Sequence, residues 1–151
     1  MNSVRNAGSW GTVLVVDDDP AVLNLINTIL ASADYRVLLA GGGEDAIRLA
    51  GGKNLNIDVA LLDVRMPRVR PAELAKGIRS LRPDIPILFM SGFVEDEAMR
   101  IRLIDEYAGF LPKPFRPESL LRAIQLAMGG YTSHTGPTHD LLQPPPMPPP
   151  R

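Results

Sequence analysis

Short apolar runs alternate with amphipathic segments along most of this 151-residue chain, and this alternation constrains the fold more than any other sequence feature. The first run, Val13–Val16, is apolar at every position, as expected of a strand that is covered on both faces. Asp19 and Pro20 then indicate a helix start, with Asp at the N-cap and Pro in the first turn. The opening of the chain therefore predicts a buried strand followed by an amphipathic helix.

The same rhythm continues to about residue 128. Further strands are predicted over Tyr35–Ala40, Ile57–Leu62, Ile85–Met90 and Gly109–Pro112, and further helices over Glu44–Ala50, Pro71–Leu81, Val94–Glu106 and Pro117–Met128. Five strands and five helices in strict alternation predict an α/β sandwich with a parallel sheet, because right-handed crossovers place helices on both faces. Since Pro112 has no N–H to donate to a ladder, the last strand is expected at an edge of the sheet.

Changes in composition near the two ends of the chain mark the limits of a single domain. Residues 1–11 are polar and contain glycine, and we predict a disordered arm there. Residues 129–151 hold seven of the fifteen prolines, which predicts a disordered or polyproline II tail, either inert or able to dock a proline-binding module. Residues 12–128 remain as a single domain, which is what the length of the chain allows.

Composition also excludes several classes of function. The formal net charge of −1 provides no overall field that would attract nucleic acid or a membrane surface. The chain has no cysteine, which excludes disulfides, thiolate metal sites and cysteine nucleophiles. No run approaches the roughly 18 apolar residues of a membrane span, and the N-terminus lacks the apolar core of a signal peptide. We therefore expect a cytoplasmic protein.

The residues that suggest chemistry lie at the predicted strand ends. Strand one is followed by Asp17-Asp18-Asp19, strand three ends in Asp63, strand four ends in Ser91-Gly92, and strand five runs into Lys113. The carboxyl ends of parallel strands share one edge of a sheet, so these groups are expected to converge. Clustered carboxylates repel one another, and a hard cation such as Mg²⁺ compensates them. With Lys113 and the Ser91 hydroxyl as ligands for phosphoryl oxygens, the pattern predicts a Mg²⁺-dependent phosphoryl acceptor.

The same strand ends carry four motifs that resemble, in order and spacing, the signature of response-regulator receiver domains: VLVVDDDP, LLDVRMP, MSG and LPKPF. Each motif is weak alone, but four in order over residues 12–128 are specific together. The resemblance, which is to the chemotaxis regulators and also to receivers of hybrid sensor histidine kinases, implies a flavodoxin-like (βα)5 fold. It implies a five-stranded parallel sheet of order 2-1-3-4-5.

The resemblance also implies roles for single acidic residues and for the loop after them. Asp63 matches the phosphorylated aspartate. Asp17 and Asp18 match the acidic pair, with Asp18 as a direct metal ligand and Asp17 acting through water. The backbone carbonyl of Arg65 would complete the protein's share of the Mg²⁺ ligands.

Other matches concern the phosphoryl group and the response to it. Lys113 matches the phosphoryl-binding lysine, and the peptide from Lys113 to Pro114 is usually cis in this family. Ser91 matches the switch hydroxyl, Gly92 the small residue that leaves the phosphoryl group accessible, and Phe110 the switch aromatic.

The function implied is signalling, with at most self-catalysed phosphorylation and dephosphorylation. A sensor histidine kinase or a histidine phosphotransfer protein would donate the phosphoryl group from a phosphohistidine. Phosphorylation would then change the face formed by the fourth helix, fifth strand and fifth helix, where a downstream protein would bind. The sequence names neither the kinase nor that downstream protein.

One departure from the family pattern leaves alternatives open. Where receivers usually carry Asp-Gly, this chain has Arg70 and Pro71, and Pro fixes φ near −65°. We therefore predict a different loop path after Asp63, and a phosphorylation-independent scaffold remains an alternative. A phosphatase of the haloacid dehalogenase type is disfavoured, because its general acid would stand at Arg65 and the chain lacks room for a cap domain.

Overall fold

A computed structural model describes residues 10–92 and 109–129, which contain five strands and four helices. The strands are β1 (Gly11–Val16), β2 (Tyr35–Ala40), β3 (Val59–Asp63), β4 (Ile87–Ser91) and β5 (Gly109–Pro112). The helices are α1 (Pro20–Ser32), α2 (Gly43–Ala50), α3 (Pro71–Leu81) and α4 (Pro117–Ala127). The helix predicted over Val94–Glu106 lies outside the described residues, as do residues 1–9 and 130–151.

All neighbouring strands pair in parallel, and the sheet has the order β2-β1-β3-β4-β5. This confirms the predicted flavodoxin-like fold and places β5 at an edge, as its terminal proline indicates. None of the described helices has the length and apolarity that crossing a membrane would require.

The apolar strands bury both of their faces in two separate core clusters. Alternate residues of β1 point to opposite sides, so that Leu14 and Val16 join one cluster while Val13 and Val15 join the other. The first cluster includes residues of α2 and α3, and the second includes residues of α1 and α4. Continuous apolar runs are therefore what this three-layer arrangement requires.

Three strands start at other residues than the sequence predicts. Gly11, which was assigned to the arm, is the first residue of β1. Ile57 and Ile85 are buried, but β3 and β4 begin two residues after them, at Val59 and Ile87. An apolar sequence pattern indicates which residues are buried, but it does not indicate which residues pair in a sheet. Ile57 and Ile85 belong to the core, although they lie in the segments just before the strands.

The loop after β3 accommodates Pro71 without a left-handed conformation at that position. Pro71 is the buried first residue of α3, where its fixed φ suits a helix start. The residue with positive φ is Arg68, at 62°, inside a turn in which the Val69 N–H donates to the Met66 carbonyl at 3.3 Å. The conformational strain of this loop therefore falls on an arginine, at a cost of about 1 kcal/mol or more.

Asp19 is the N-cap of α1, as predicted, and its carboxylate accepts a hydrogen bond from the Ala21 N–H at 2.9 Å. We expect Asp19→Ala to lower the free energy of unfolding by about 1 kcal/mol, since that N–H loses its partner. Asp19→Asn should retain the cap and the stability. Urea denaturation followed by circular dichroism measures both, and equal losses for the two variants would contradict the capping role.

Candidate functional site

Three carboxylates meet at the carboxyl edge of the sheet. Asp17, Asp18 and Asp63 each offer an oxygen, and these oxygens all lie within 4.8 Å of one another. Asp17 and Asp63 are only 1% and 4% exposed, whereas Asp18 is exposed. The cluster is therefore buried at its base and open to solvent on the side of Asp18.

Lys113 places its ammonium group between the two buried carboxylates. Its Nζ lies 2.9 Å from Asp17 Oδ2 and 3.3 Å from Asp63 Oδ1. Its backbone N–H donates to the Ser91 carbonyl at 2.8 Å, next to the pairing of Ser91 with Pro112. The predicted cis peptide between Lys113 and Pro114 is present. Lys113 thus brings a single positive charge to three carboxylates, and these four groups together carry an excess of negative charge when all are ionised.

Local turns fix the carboxylates from the other side. Asp17 Oδ1 accepts a hydrogen bond from the Asp19 N–H at 2.9 Å, and the Asp63 carboxylate accepts one from the backbone N–H of Arg65. In both cases an Asp side chain bonds the backbone two residues further on, which is the geometry of an Asx turn. The sequence analysis named neither of these two hydrogen bonds, although an Asp at the end of a strand and before a turn is the signal for such a bond.

The charges and the burial act in opposite directions on the pKa of Asp63. Burial raises the pKa of the Asp63 carboxyl, the positive charge of Lys113 lowers it, and the negative charge of Asp17 raises it again. The net result is a pKa above the ordinary value for an aspartate. The positive charge of Lys113 therefore does not fully offset the cost of burying the Asp63 carboxylate beside Asp17.

Lys113 remains the protonated partner. Burial lowers the pKa of Lys113, but the hydrogen bond to Asp17 and the charges of Asp63 and Asp17 outweigh this and raise it above the ordinary value. The ammonium group is accordingly a fixed positive charge at neutral pH.

The other predicted residues lie around this cluster. Ser91 is the buried last residue of β4, and Gly92 follows it in an exposed position. A Cβ at Gly92 would lie 3.4 Å from Lys113 Cβ, so the chain passes close to the lysine here. Phe110 is half-buried on β5, three residues before Lys113, and packs against the core cluster that contains residues of α2 and α3. The structure thus brings Asp17, Asp18, Asp63 and Lys113 together and places Ser91 beside them through its backbone, whereas Phe110 belongs to the neighbouring packing.

The donor set suits a hard divalent cation. All three ligand groups found here among residues 10–92 and 109–129 are carboxylates, and their excess negative charge matches a dication. The exposed Asp18 leaves room for water ligands, which Mg²⁺ retains in proteins. The residues present therefore fit Mg²⁺, and the role of the Arg65 carbonyl as a further ligand stays a prediction.

Comparisons with known proteins agree with this geometry. Residues 13–125 match the family model of the response regulator receiver domain. The chain is 34% identical over 114 residues to the sensor kinase CckA of Brucella abortus. This alignment covers 76% of this chain and 12% of that protein. It is 35% identical over 131 residues to the response regulator MprA of Mycobacterium sp. strain KMS, which covers 86% of this chain and 56% of that protein. The chain therefore spans little more than half the length of MprA and a small part of CckA.

A solved structure that is matched over nearly its whole length shows the same fold. The chemotaxis response regulator CheY4 of Vibrio cholerae superposes with a TM-score of 0.68 at 31% identity, covering 78% of this chain and 98% of that one.

The raised pKa of Asp63 predicts that its charge destabilises the fold in the absence of a metal. The folded state holds the proton more tightly than the unfolded chain, so stability falls as pH rises from the ordinary aspartate pKa through the folded one. We therefore expect Asp63→Asn to raise the melting temperature at neutral pH in EDTA, with the difference vanishing below pH of about 4. Differential scanning calorimetry against pH measures this.

The matched control is Asp84→Asn, which removes an exposed carboxylate far along the chain from the cluster. It should leave the melting temperature nearly unchanged at both pH values. A destabilised Asp63→Asn variant at neutral pH would show that the ion pair with Lys113 outweighs the desolvation of Asp63.

Proposed function

This chain belongs to the response regulator receiver domain family of two-component signalling, and from that membership we propose that Asp63 accepts a phosphoryl group in a Mg²⁺-dependent reaction. The donor is a phosphohistidine on a sensor histidine kinase or on a histidine phosphotransfer protein. The chain acts as a signalling domain, and any catalysis is of its own phosphorylation and dephosphorylation. Its proposed location is the cytoplasm, without contact to nucleic acid or membrane.

The observation that carries this proposal is the contact of one lysine with two buried carboxylates beside a third, exposed one. Lys113 holds Asp17 and Asp63 at the end of adjacent strands, while Asp18 completes the oxygen set at the surface. Asp18 and Asp63 would bind Mg²⁺ directly, Asp17 through water, and the Arg65 carbonyl would add a fourth contact. Bound Mg²⁺ would supply the positive charge that the cluster lacks and would bind a phosphoryl oxygen.

The chemistry is a displacement at phosphorus. A carboxylate oxygen of Asp63 forms the new O–P bond, the P–N bond to the histidine breaks, and the ring nitrogen keeps the electron pair. Lys113 is already bonded to Asp63, so its ammonium group can follow the charge from the carboxylate onto a phosphoryl oxygen. The Ser91 hydroxyl donates a hydrogen bond to another phosphoryl oxygen and stabilises the charge on it.

We expect the wild-type protein, incubated with Mg²⁺ and a small phosphodonor such as acetyl phosphate, to gain one phosphoryl group by intact mass. The adduct should be stable in acid and labile in base, as an acyl phosphate is. Asp63→Asn should gain none because the accepting oxygen is gone, and EDTA should abolish the adduct on the wild type. Asp45→Asn, which removes an exposed carboxylate on α2, is the control and should behave as wild type.

The neighbouring aspartates give a second internal comparison. Asp18→Asn should lose Mg²⁺ affinity and adduct formation, whereas Asp19→Asn should keep both, because Asp19 serves as the helix cap. No adduct together with no Mg²⁺ binding by the wild type would contradict the proposal and favour the phosphorylation-independent scaffold. Continuous turnover of a phosphate ester would favour the phosphatase.

We also propose that phosphorylation shifts the domain between two conformations through Ser91 and Phe110. The added phosphoryl charge draws the Ser91 hydroxyl towards it, and Phe110 repacks in the space beside β4. The face that changes is the one formed by β5, by α4 (Pro117–Ala127) and by the helix that the sequence predicts over Val94–Glu106. A downstream protein binds to this face.

Nuclear magnetic resonance with and without beryllofluoride, a phosphoryl mimic, tests this switch. Amide shifts should change along β5 and α4 in the wild type, and these changes should shrink in Ser91→Ala, which lacks the hydroxyl. Ser80→Ala, at an exposed position on α3, should respond as wild type. Unchanged shifts on β5 and α4 in the wild type would rule the switch out.

A further inference from the structure

Exposed apolar side chains collect at the edge of the sheet where the strands begin, here called the amino edge, which is opposite to the acidic cluster. Six large apolar side chains are exposed among the described residues, and three of them lie at this edge: Trp10 at 64%, Leu81 at 46% and Leu126 at 42%. They belong to different segments, since Trp10 precedes β1, Leu81 ends α3 and Leu126 lies in the last turn of α4. Apolar side chains that the core does not use and that gather in one region are typical of a contact surface.

A groove of about 390 Å³ opens at the amino edge, between the end of α3 and the start of β4. Most of its lining residues are apolar or proline, and the whole set is Ile57, Asp58, Leu81, Arg82, Pro83, Asp84, Ile85 and Pro86. The Arg82 guanidinium holds one wall in place, because it donates hydrogen bonds to the carbonyls of Ala50, Gly52 and Leu55. The groove is thus a preformed and largely apolar surface, and its arginine is already bonded within the protein.

The chain leaves the described structure next to this groove. A Cβ built on Gly11 would lie 2.5 Å from Met128 Cε and 2.9 Å from Asp58 Oδ2, so Met128 and Asp58 are close neighbours beside Gly11. Asp58 lines the groove, and Gly11 directly follows the exposed Trp10. The indole ring and the groove therefore lie near Gly129, the residue from which residues 130–151 continue.

The segment that continues from Gly129 has the composition of a ligand for such a surface. Pro144–Pro150 consists of six prolines around Met147 and carries no charge, so packing it on an apolar groove would bury no unpaired charge. A proline run favours the polyproline II conformation, and segments of this kind dock on exposed aromatic rings and apolar grooves. Fourteen residues separate Gly129 from Pro144, and they can span about 45 Å when extended. The run can therefore reach the amino edge of its own chain.

We propose that Pro144–Pro150 packs within the same chain on the surface formed by Trp10 and the groove between α3 and β4. The prolines cover one face of the Trp10 indole and continue along Leu81 and Pro86. Because the run is tethered through Gly129, its effective concentration at the surface is on the order of millimolar, and a contact too weak to hold a free peptide suffices. While the run is packed there, it is withheld from a proline-binding module.

Tryptophan fluorescence tests this contact directly, because Trp10 is the only tryptophan of the chain. The wild type is compared with a full-length variant in which all six prolines of the run are replaced: Pro144→Ser, Pro145→Ser, Pro146→Ser, Pro148→Ser, Pro149→Ser and Pro150→Ser. The wild type should emit at shorter wavelength, and its acrylamide quenching constant should be about twofold lower, since one face of the indole is covered. Pro137→Ser, which changes a proline outside the run, is the matched control and should behave as wild type.

The groove is tested from the other side of the contact. Leu81→Ser removes an apolar side chain from the groove, and it should raise the quenching of Trp10 towards the value of the six-serine variant. Because Leu81 is 46% exposed, this change costs the fold little stability. Leu25→Ser is the matched control, since Leu25 is a leucine of similar exposure that does not line the groove, and it should leave the quenching of Trp10 unchanged.

Each outcome decides for or against the contact. Equal quenching of Trp10 in the wild type and in the six-serine variant overturns the proposal. If the six-serine variant exposes Trp10 but Leu81→Ser does not, the run packs on the indole without the groove, and the proposed surface is wrong. Protection that appears only as the protein concentration rises shows that the run of another copy binds, which contradicts a contact within one chain.

The measurement is independent of the proposed function. The amino edge lies at the other end of the strands from Asp63, and the fluorescence of Trp10 is read without phosphorylation. Circular dichroism of the same variants checks their folding. A failure of phosphoryl transfer to Asp63 would therefore leave this test intact, and a failure of the contact would leave the phosphoryl-acceptor proposal intact.

Discussion

The repulsion between buried carboxylates is the constraint on which the rest of this structure depends. Lys113, which relieves it, stands 96 residues from Asp17 and 50 from Asp63 in the chain. The three meet because β1 and β3 are adjacent and β4 carries β5 beside its end, where the Lys113 N–H bonds the Ser91 carbonyl. The strand order is thus a condition for placing two acids in a dry position, since an unpaired buried carboxylate would cost several kcal/mol. The sheet therefore brings the groups of the site together, and Lys113 reduces the cost of burying the two acids.

Lys113 offsets the repulsion between the buried carboxylates only in part, and this leaves the site able to gain from further positive charge. Desolvation keeps the pKa of Asp63 raised even with Lys113 3.3 Å away. A fully neutralised carboxylate would gain little from a cation, whereas this one gains from any ligand that adds positive charge. Natural proteins commonly accept a loss of stability at such positions in return for binding. The same reasoning explains why Asp18 is exposed: a third buried acid would exceed what one lysine can stabilise.

The sequence predicted the architecture and the members of the cluster for reasons that can be stated residue by residue. Strict alternation predicted the parallel sheet, and the resemblance to receiver domains implied its strand order. The strand ends named Asp63, Ser91 and Lys113 because parallel strands share an edge. The sequence analysis did not name the hydrogen bonds that Asp63 and Asp17 accept from backbone N–H groups, although an Asp at a strand end before a turn is the signal for them. It placed the strand starts at Ile57 and Ile85 because burial and ladder pairing look alike in an apolar pattern. From Pro71 it predicted a different loop path, and it did not indicate which residue of that loop is left-handed, because arginine has no preference for the positive φ that Arg68 adopts.

Helix α1 begins directly after the three acidic residues Asp17, Asp18 and Asp19 and has no charged residue of its own. Asp17 bonds the Asp19 N–H, and Asp19 in turn bonds the Ala21 N–H, so a continuous chain of hydrogen bonds joins the acidic cluster to the helix. Beyond Asp19 the helix is uncharged along its whole length. The helix therefore has charged groups just before its N-terminus and an uncharged outward face along its side. A molecule packed on that side would touch the same rigid element whose N-terminus is joined to Asp17 by hydrogen bonds.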